Sequence, residues 1–289
     1  MGIVLGLAAA LFWGAADFIA RGVTRQIGTT RTLYYMQFIG LGALGAYLIL
    51  TGELLRLLPE VELGAWLLAL LVAILIMFAS LALYRGFEIG MITVVSPIAA
   101  AYAAITVILS VLSGEVLSPS NIAGIAAALG GVVLASVGDP PPEADGRRRI
   151  GPPPGVGLAI GAAIGYGVAF WLIGFYITPT FGSIVPVWIT RLMTILMLLL
   201  MASIARRPLT LPKRAVWRPI IAVGVLDTAA YVANNVGLLT EQVSIVTVLA
   251  SLFTAVTVLL ARVFLNERLR RSQWLGIGCI LLGIVLVSL

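Results

Sequence analysis
Histidine is absent from this 289-residue sequence, cysteine occurs once, and only 10% of the residues are charged. Without histidine the chain lacks the commonest general base and the commonest metal ligand. A lone cysteine, Cys279, excludes an intrachain disulfide. No nucleophile with its base, metal motif or phosphate-cradling glycine loop is visible, so an enzyme or an ATP-driven machine lacks its parts. No cofactor and no metal are called for. The shortage of charge excludes most soluble classes, because a soluble domain carries about 25% charged residues.

Apolar sequence fills the gap: 61% of residues are hydrophobic and the mean hydropathy is +1.12. Spanning about 30 Å of hydrocarbon takes a helix of roughly 20 apolar residues. Such runs recur near Gly2–Ala20, Thr32–Thr51, Leu63–Leu83, Ile89–Ser113 and Asn121–Gly138, and again near Gly155–Phe175, Ser183–Ala205, Arg218–Leu238, Gln242–Leu265 and Gln273–Leu289. They are continuous and rich in Leu, Ala and Gly, unlike the alternating ten-residue strands of a barrel. The expected fold is an all-α polytopic membrane protein with ten transmembrane helices, embedded in a lipid bilayer. The first run lacks a basic leading region and exceeds a signal-peptide core in length, which marks it as a retained first helix. "MGIVLG" also lacks the Ser or Thr that myristoylation requires at its sixth position.

The sequence is written twice. Ala103–Ser136 laid on Ala255–Ser288 gives identities at twelve of 34 positions, among them Glu115/Glu267, Ser120/Ser272, Gly124/Gly276 and Gly131/Gly283. "GLAAALFWG" near the start likewise answers "GLAIGAAIG" of the second half. Between the halves "DPPPEADGRRRIGPPP", residues 139–154, has six prolines and cannot continue a helix. The expected organisation is therefore a repeat over 1–138, a Pro-rich linker over 139–154 and a second repeat over 155–289. Five crossings per repeat invert the second copy relative to the first.

Loop charge supports the inversion. Of the 18 Lys and Arg residues, 16 fall in loops that follow odd-numbered helices, on the face that carries the linker; the exceptions are Arg56 and Arg191. Positive charge collects on the cytoplasmic side, so the linker face is expected in the cytoplasm and both termini outside, in a bacterial-type inner or plasma membrane. The pI of 9.9 reflects those loops and does not call for a nucleic-acid partner.

"WGAADF" in the first helix, Ser96-Pro97 in the fourth, and the "GE" and "NERL" turns before a glycine-rich last helix in each half resemble the drug/metabolite transporter superfamily, in its ten-helix EamA branch. "EIGMITVVSP" and "NVGLLTEQVSIV" are similar to exporters of aromatic amino acids within that branch. The resemblance implies export of a small-molecule metabolite, amino acids foremost, through a central cavity lined by helices one, three, four, six, eight and nine. Inverted repeats of this kind work by alternating access, with substrate bound near the midplane. A multidrug, cation or sugar transporter of the same superfamily is the alternative. A channel would show a symmetric polar ring, yet Asp227 has no acidic match in the first half. The sequence leaves the oligomeric state open, a monomer being compatible with such a cavity.

Ionisable residues inside a span are functional candidates, because each costs about 2.5–3.5 kcal/mol to insert. Asp227 shares one face of the eighth helix with Tyr231, Asn234 and Asn235, so the stripe either faces the cavity or joins helices. Asp227 is a candidate for substrate binding and for coupling. Asp17 follows Trp13 by one turn and precedes Arg21 by one, so it is either a gate or part of an interfacial ion pair. Arg191 aligns with Gln37 and is expected to snorkel at the outer end of the seventh helix, with a structural role. On the helices implied as cavity-lining, Tyr84, Tyr102, Tyr166 and Trp171 are candidate aromatic contacts. Trp66, Trp188, Trp217 and Trp274, near span ends, are expected in the aromatic belt. Pro97 removes a helix hydrogen bond, and a break there would expose Ser96 and the Thr93 carbonyl to the site.

Overall fold
A computed structural model describes residues 1–136, 153–206, 209–265 and 271–287. Most of the expected linker and most of the "NERLRR" turn lie outside the described residues. Among those described, the regular structure is helical throughout, in the order α1 (Gly2–Ile27), α2 (Thr29–Thr51), α3 (Glu53–Glu60), α4 (Leu63–Ile89), α5 (Ile92–Ala100), α6 (Tyr102–Leu112), α7 (Pro119–Ser136), α8 (Val156–Leu172), a π-helical turn (Ile173–Ile177), α9 (Thr178–Phe181), α10 (Val185–Ile204), α11 (Arg214–Leu238), α12 (Val243–Ser251), α13 (Phe253–Leu265) and α14 (Arg271–Val287). Only helices close all their backbone hydrogen bonds within one segment of a spanning chain.

Among the described residues seven helical segments are long and apolar enough to cross a membrane, with α5–α6 and α8–α9 each counted once, and three shorter apolar ones at Pro119–Leu134, Val243–Thr257 and Trp274–Val287 bring the total to the expected ten. Two features depart from the sequence reading. The first is α3, a short helix between spans that holds Glu53, Arg56 and Glu60 on one side and packs Leu54 and Leu57 against the core, as an interfacial helix does.

The second is the position of the break in the fourth span. Helix α5 runs through Pro97 and ends at Ala101, whose N–H turns back to the Ile98 carbonyl at 3.2 Å in a tight 3₁₀-like turn. The second repeat breaks at the matching place, Leu252, with its N–H on the Leu249 carbonyl at 3.2 Å, and has no proline nearby. The break therefore belongs to the repeat rather than to Pro97.

Each half reaches into the other. Helix α1 packs against α11, α12 and α13, and its counterpart α8 packs against α4, α5 and α6. At the edge α7 and α14 cross in antiparallel contact through paired glycines: a Cβ on Gly124 would come within 2.9 Å of the Gly283 carbonyl oxygen, and one on Gly131 within 2.7 Å of that of Gly276. These are the glycines that match between the repeats, and the contact obeys the two-fold relation that exchanges the halves. Small residues let backbones approach this closely in a bilayer, where hydrophobic attraction between helices is lost.

Candidate functional site
A small cavity of about 40 Å³ lies between the halves, walled by α1, α2, α4, α5, α6, α8, α11 and α13. One helical turn separates Trp13 from Asp17 on α1 and Asp227 from Tyr231 on α11, so each helix presents an acid and an aromatic together. Tyr84 comes from α4, Tyr102 from α6, and Tyr166 with Phe170, again one turn apart, from α8. Phe253 opens α13 as Tyr102 opens α6, and the two rings stack at 6.5 Å between centroids, joining the ends of the two broken spans.

Phe170 is the hub of the aromatic lining. Its ring centroid lies 5.6 Å from that of Trp13, 5.1 Å from Tyr102, 6.0 Å from Tyr166 and 6.0 Å from Tyr231. Tyr166 is fixed further by a 2.8 Å hydrogen bond with Ser80 on α4. Offset and edge-on ring pairs of this type contribute about 0.5–1.5 kcal/mol each beyond area burial. The lining is thus rigid, and it presents π faces.

Charge is concentrated at one wall. Arg191 of α10, only 1% exposed, donates from Nη1 to Asp227 Oδ2 at 2.7 Å and to Gln37 Oε1 of α2, with its guanidinium 5.0 Å from the centre of the Tyr231 ring. Its Nε and Nη2 are buried without a hydrogen-bond partner. Room for this group exists because residue 40 is glycine: a Cβ there would stand 2.3 Å from Thr228 Oγ1 and 3.1 Å from Arg191 Nε. Arg191 therefore does not snorkel to the headgroups. It faces inward because α10 packs on α2 and α4, and a guanidinium buried there requires an anion.

The ion pairs among the described residues are Arg85–Glu88 and Arg191–Asp227, and Asp17 takes part in neither. Asp17 is 5% exposed and lines the cavity. Two carboxylates and one guanidinium thus leave the cavity with an excess negative charge, which in a low-dielectric surround calls for a proton or a ligand cation. Tyr84 also lines the cavity, and its hydroxyl has no hydrogen-bond partner among the described residues.

Other candidates lie elsewhere. Asn234 and Asn235, buried on α11, are outside the central lining; Asn234 Nδ2 donates to Asn235 Oδ1 at 3.4 Å, and Asn235 Nδ2 to the Ser183 carbonyl at 3.2 Å. Ser96 is buried beside Thr254 of α13, 3.4 Å away between hydroxyls, and is also outside the lining. Trp171 points away from the cavity, with its indole N–H on Ser113 Oγ at 2.8 Å and its ring edge against Tyr176. The tryptophans assigned to the belt divide: Trp274 is 60% exposed, whereas Trp66 and Trp188 pack partly against the core.

Gln37, Arg191, Phe170 and Phe253 were missed as site residues. Phe170 carries a usable signal, since it follows Tyr166 by the same four-residue step that joins Asp227 to Tyr231. Gln37 and Arg191 were excluded because helices two and seven fall outside the cavity set that the resemblance implies.

The EamA-like transporter family matches the sequence twice, over residues 1–137 and 153–289. No curated protein matches it. Among solved structures, one described only as a crystal structure of a protein superposes with a TM-score of 0.78 at 19% identity, covering 99% of this chain and 96% of the other. At that identity the likeness establishes the fold alone.

Proposed function
Because the chain belongs to the EamA-like transporter family, we propose that it is a secondary exporter of small metabolites, amino acids foremost, working by alternating access through the cavity between its halves. The observation that carries this reading is a buried, aromatic cavity in which Asp17 has no ion-pair partner among the described residues while Asp227 is neutralised by Arg191. A ligand ammonium supplies the charge that Asp17 lacks, and an apolar or aromatic side chain stacks on Phe170 and its neighbours. With Gln37 Oε1 accepting from Arg191, the amide hydrogens of Gln37 and the hydroxyl of Tyr84 are the donors for a carboxylate. Asp17 replaces Asp227 as the residue that meets the ligand cation.

No phosphate loop or catalytic set is present in the sequence, so a gradient of substrate or protons drives the cycle, with Asp17 as the group that exchanges a proton for a cation. The linker face is cytoplasmic and the termini are outside, in accord with the positive charge gathered on that face. The excess negative charge of the cavity also favours a second reading, in which the ligand is an organic cation without a carboxylate.

Counterflow in proteoliposomes separates the two. Vesicles loaded with unlabelled amino acids and supplied with labelled phenylalanine, methionine or threonine are expected to show saturable exchange of at least one, lost in Asp17→Asn. Exchange of a labelled aromatic amine or quaternary ammonium, with none of any amino acid, would replace the first reading with the second.

A further inference from the structure
A groove of about 960 Å³ opens at the linker face, where α4 and α10 end, α8 begins and the α1–α2 turn forms one side. On α4 the central cavity takes Ser80, Leu83 and Tyr84, whereas the groove takes Leu81, Ala82, Arg85 and Glu88, so the two lie on different sides of that helix. The groove is the outer of the two: Met201 and Ala205, its walls on α10, are exposed, and in a bilayer that surface meets lipid. Its character changes with depth. Arg31, Arg85, Thr29 and Glu88 stand at the rim, and one turn further along α4 the lining becomes Leu81 and Ala82, with Leu158 of α8 and Met201. From Glu88 to Leu81 is about 10 Å of helix, enough to pass from the headgroup layer into hydrocarbon.

The rim favours an anion. Glu88 is already engaged: the Thr29 N–H and hydroxyl donate to its Oε2 at 3.0 and 2.5 Å, and Arg85 Nη1 meets Oε1 at 2.6 Å. Arg31 enters no ion pair among the described residues, so the rim keeps an excess of positive charge. Arg206 adds to it from an adjoining groove that shares Ala202 and Leu209 with this one. The first turn of α2, Thr29 to Arg31, also lines the groove and holds no acidic residue, and the N–H groups of Thr30 and Arg31 have no acceptor within their helix. Guanidinium groups and such N–H groups both suit phosphate oxygens.

We propose that this groove binds one anionic phospholipid of the linker-face leaflet, with its phosphate at Arg31 and Arg85 and an acyl chain along Leu81, Leu158 and Met201. Basic pockets between spanning helices on the cytoplasmic side take such headgroups, and anionic lipids are concentrated in the cytoplasmic leaflet. The linker face is the one assigned to the cytoplasm above, on the strength of its charge. A zwitterionic lipid would fill the apolar depth equally well but would leave the excess charge of the rim unmatched. The assignment needs only that the chain spans a bilayer; it holds whatever substrate the central cavity carries.

The test is native mass spectrometry of the full chain released from detergent micelles, titrated with phosphatidylglycerol or with phosphatidylcholine of the same acyl chains. The wild type is expected to retain one phosphatidylglycerol with an affinity about tenfold or more above that for phosphatidylcholine. A basic residue beside a headgroup changes such binding by a factor of about five, so Arg31→Gln, which breaks no ion pair among the described residues, should weaken phosphatidylglycerol about fivefold. Adding Arg85→Gln should remove the preference. Arg214→Gln with Arg218→Gln takes two charges from the same face at the start of α11, outside the groove, and should leave the preference in place. Ala202→Trp fills the groove without altering its charge and should weaken phosphatidylglycerol by about tenfold or more. No preference in the wild type, as when the linker rather than lipid fills the groove, would overturn the site. An equal loss in the Arg214 and Arg218 variant would do so too, because it would show diffuse attraction to a basic face. Undiminished binding in Ala202→Trp would place the acyl chain elsewhere and overturn it as well. The measurement involves neither transport nor sidedness, so failure of the exporter reading or of the orientation would leave its result unchanged.

Discussion

At the scale of single residues the account turns on a buried charge and its partners. Arg191 holds Asp227 at 2.7 Å, and neither group has water-like surroundings. Removing one member of such a pair leaves the other uncompensated and costs about 3–5 kcal/mol, whereas removing both together costs far less. Arg191→Gln and Asp227→Asn are therefore each expected to lower the unfolding midpoint of the purified protein, with the double variant recovering most of the loss. Equal and additive losses would contradict a coupled pair. Asp17→Asn, by contrast, removes no ion-pair partner among the described residues and is expected to leave the midpoint near that of the wild type.

The legibility of these residues was uneven, for a physical reason. Asp227 and Tyr231 declared themselves by helical spacing on an apolar helix, and Trp13 with Asp17 did the same. Arg191 misled because distance from a span end is a one-dimensional measure. It does not say whether a side chain faces lipid or neighbouring helices, and only packing on α2 and α4 decides that. One sign was present in the alignment itself: Gln37 and Arg191 match between the repeats, and polar residues at matched positions meet across a two-fold axis.

At the scale of elements, the existence and order of the hydrophobic runs of spanning length were legible, because hydrocarbon thickness and backbone satisfaction leave few choices, while three spans run six or seven residues past their expected ends, to Ile27, Ile89 and Phe181. The amphipathic α3 was not legible, since eight residues with three charges read as a loop. The break in the fourth span was expected at Pro97 from a local rule, but it occurs at Ala101 and recurs at Leu252 without proline. Pro97→Ala is accordingly expected to keep both the fold and counterflow, and loss of transport in that variant would restore the proline as the cause. Gly131→Leu should behave differently. Its side chain would run into the Gly276 carbonyl, 2.7 Å from the Cβ position, so the α7–α14 contact must separate. Overpacking of a well-packed contact costs typically about 1–3 kcal/mol, readable as a lower unfolding midpoint.

At the scale of the whole molecule, inversion explains features that no single helix does. The repeated glycines meet in exchanged pairs, Tyr102 stacks on Phe253, and α1 and α8 occupy reciprocal places in the opposite half. The cavity is lined from both halves, more by the first than by the second, and under the alternating-access proposal it opens in turn toward each face. In the described arrangement its charged and aromatic lining is buried. The number of spans and the repeat were readable in the sequence; the interleaving of the halves was not, because it depends on which helix faces pack together.

The most direct measurement of alternating access is the sided reactivity of Ala99→Cys, in a Cys279→Ser background, toward a membrane-impermeant thiol reagent added to one face of oriented vesicles at a time. The expected result is modification from either face, at rates that change in opposite directions when a transported substrate is supplied on one side. Modification from a single face, unmoved by any substrate, would contradict the account.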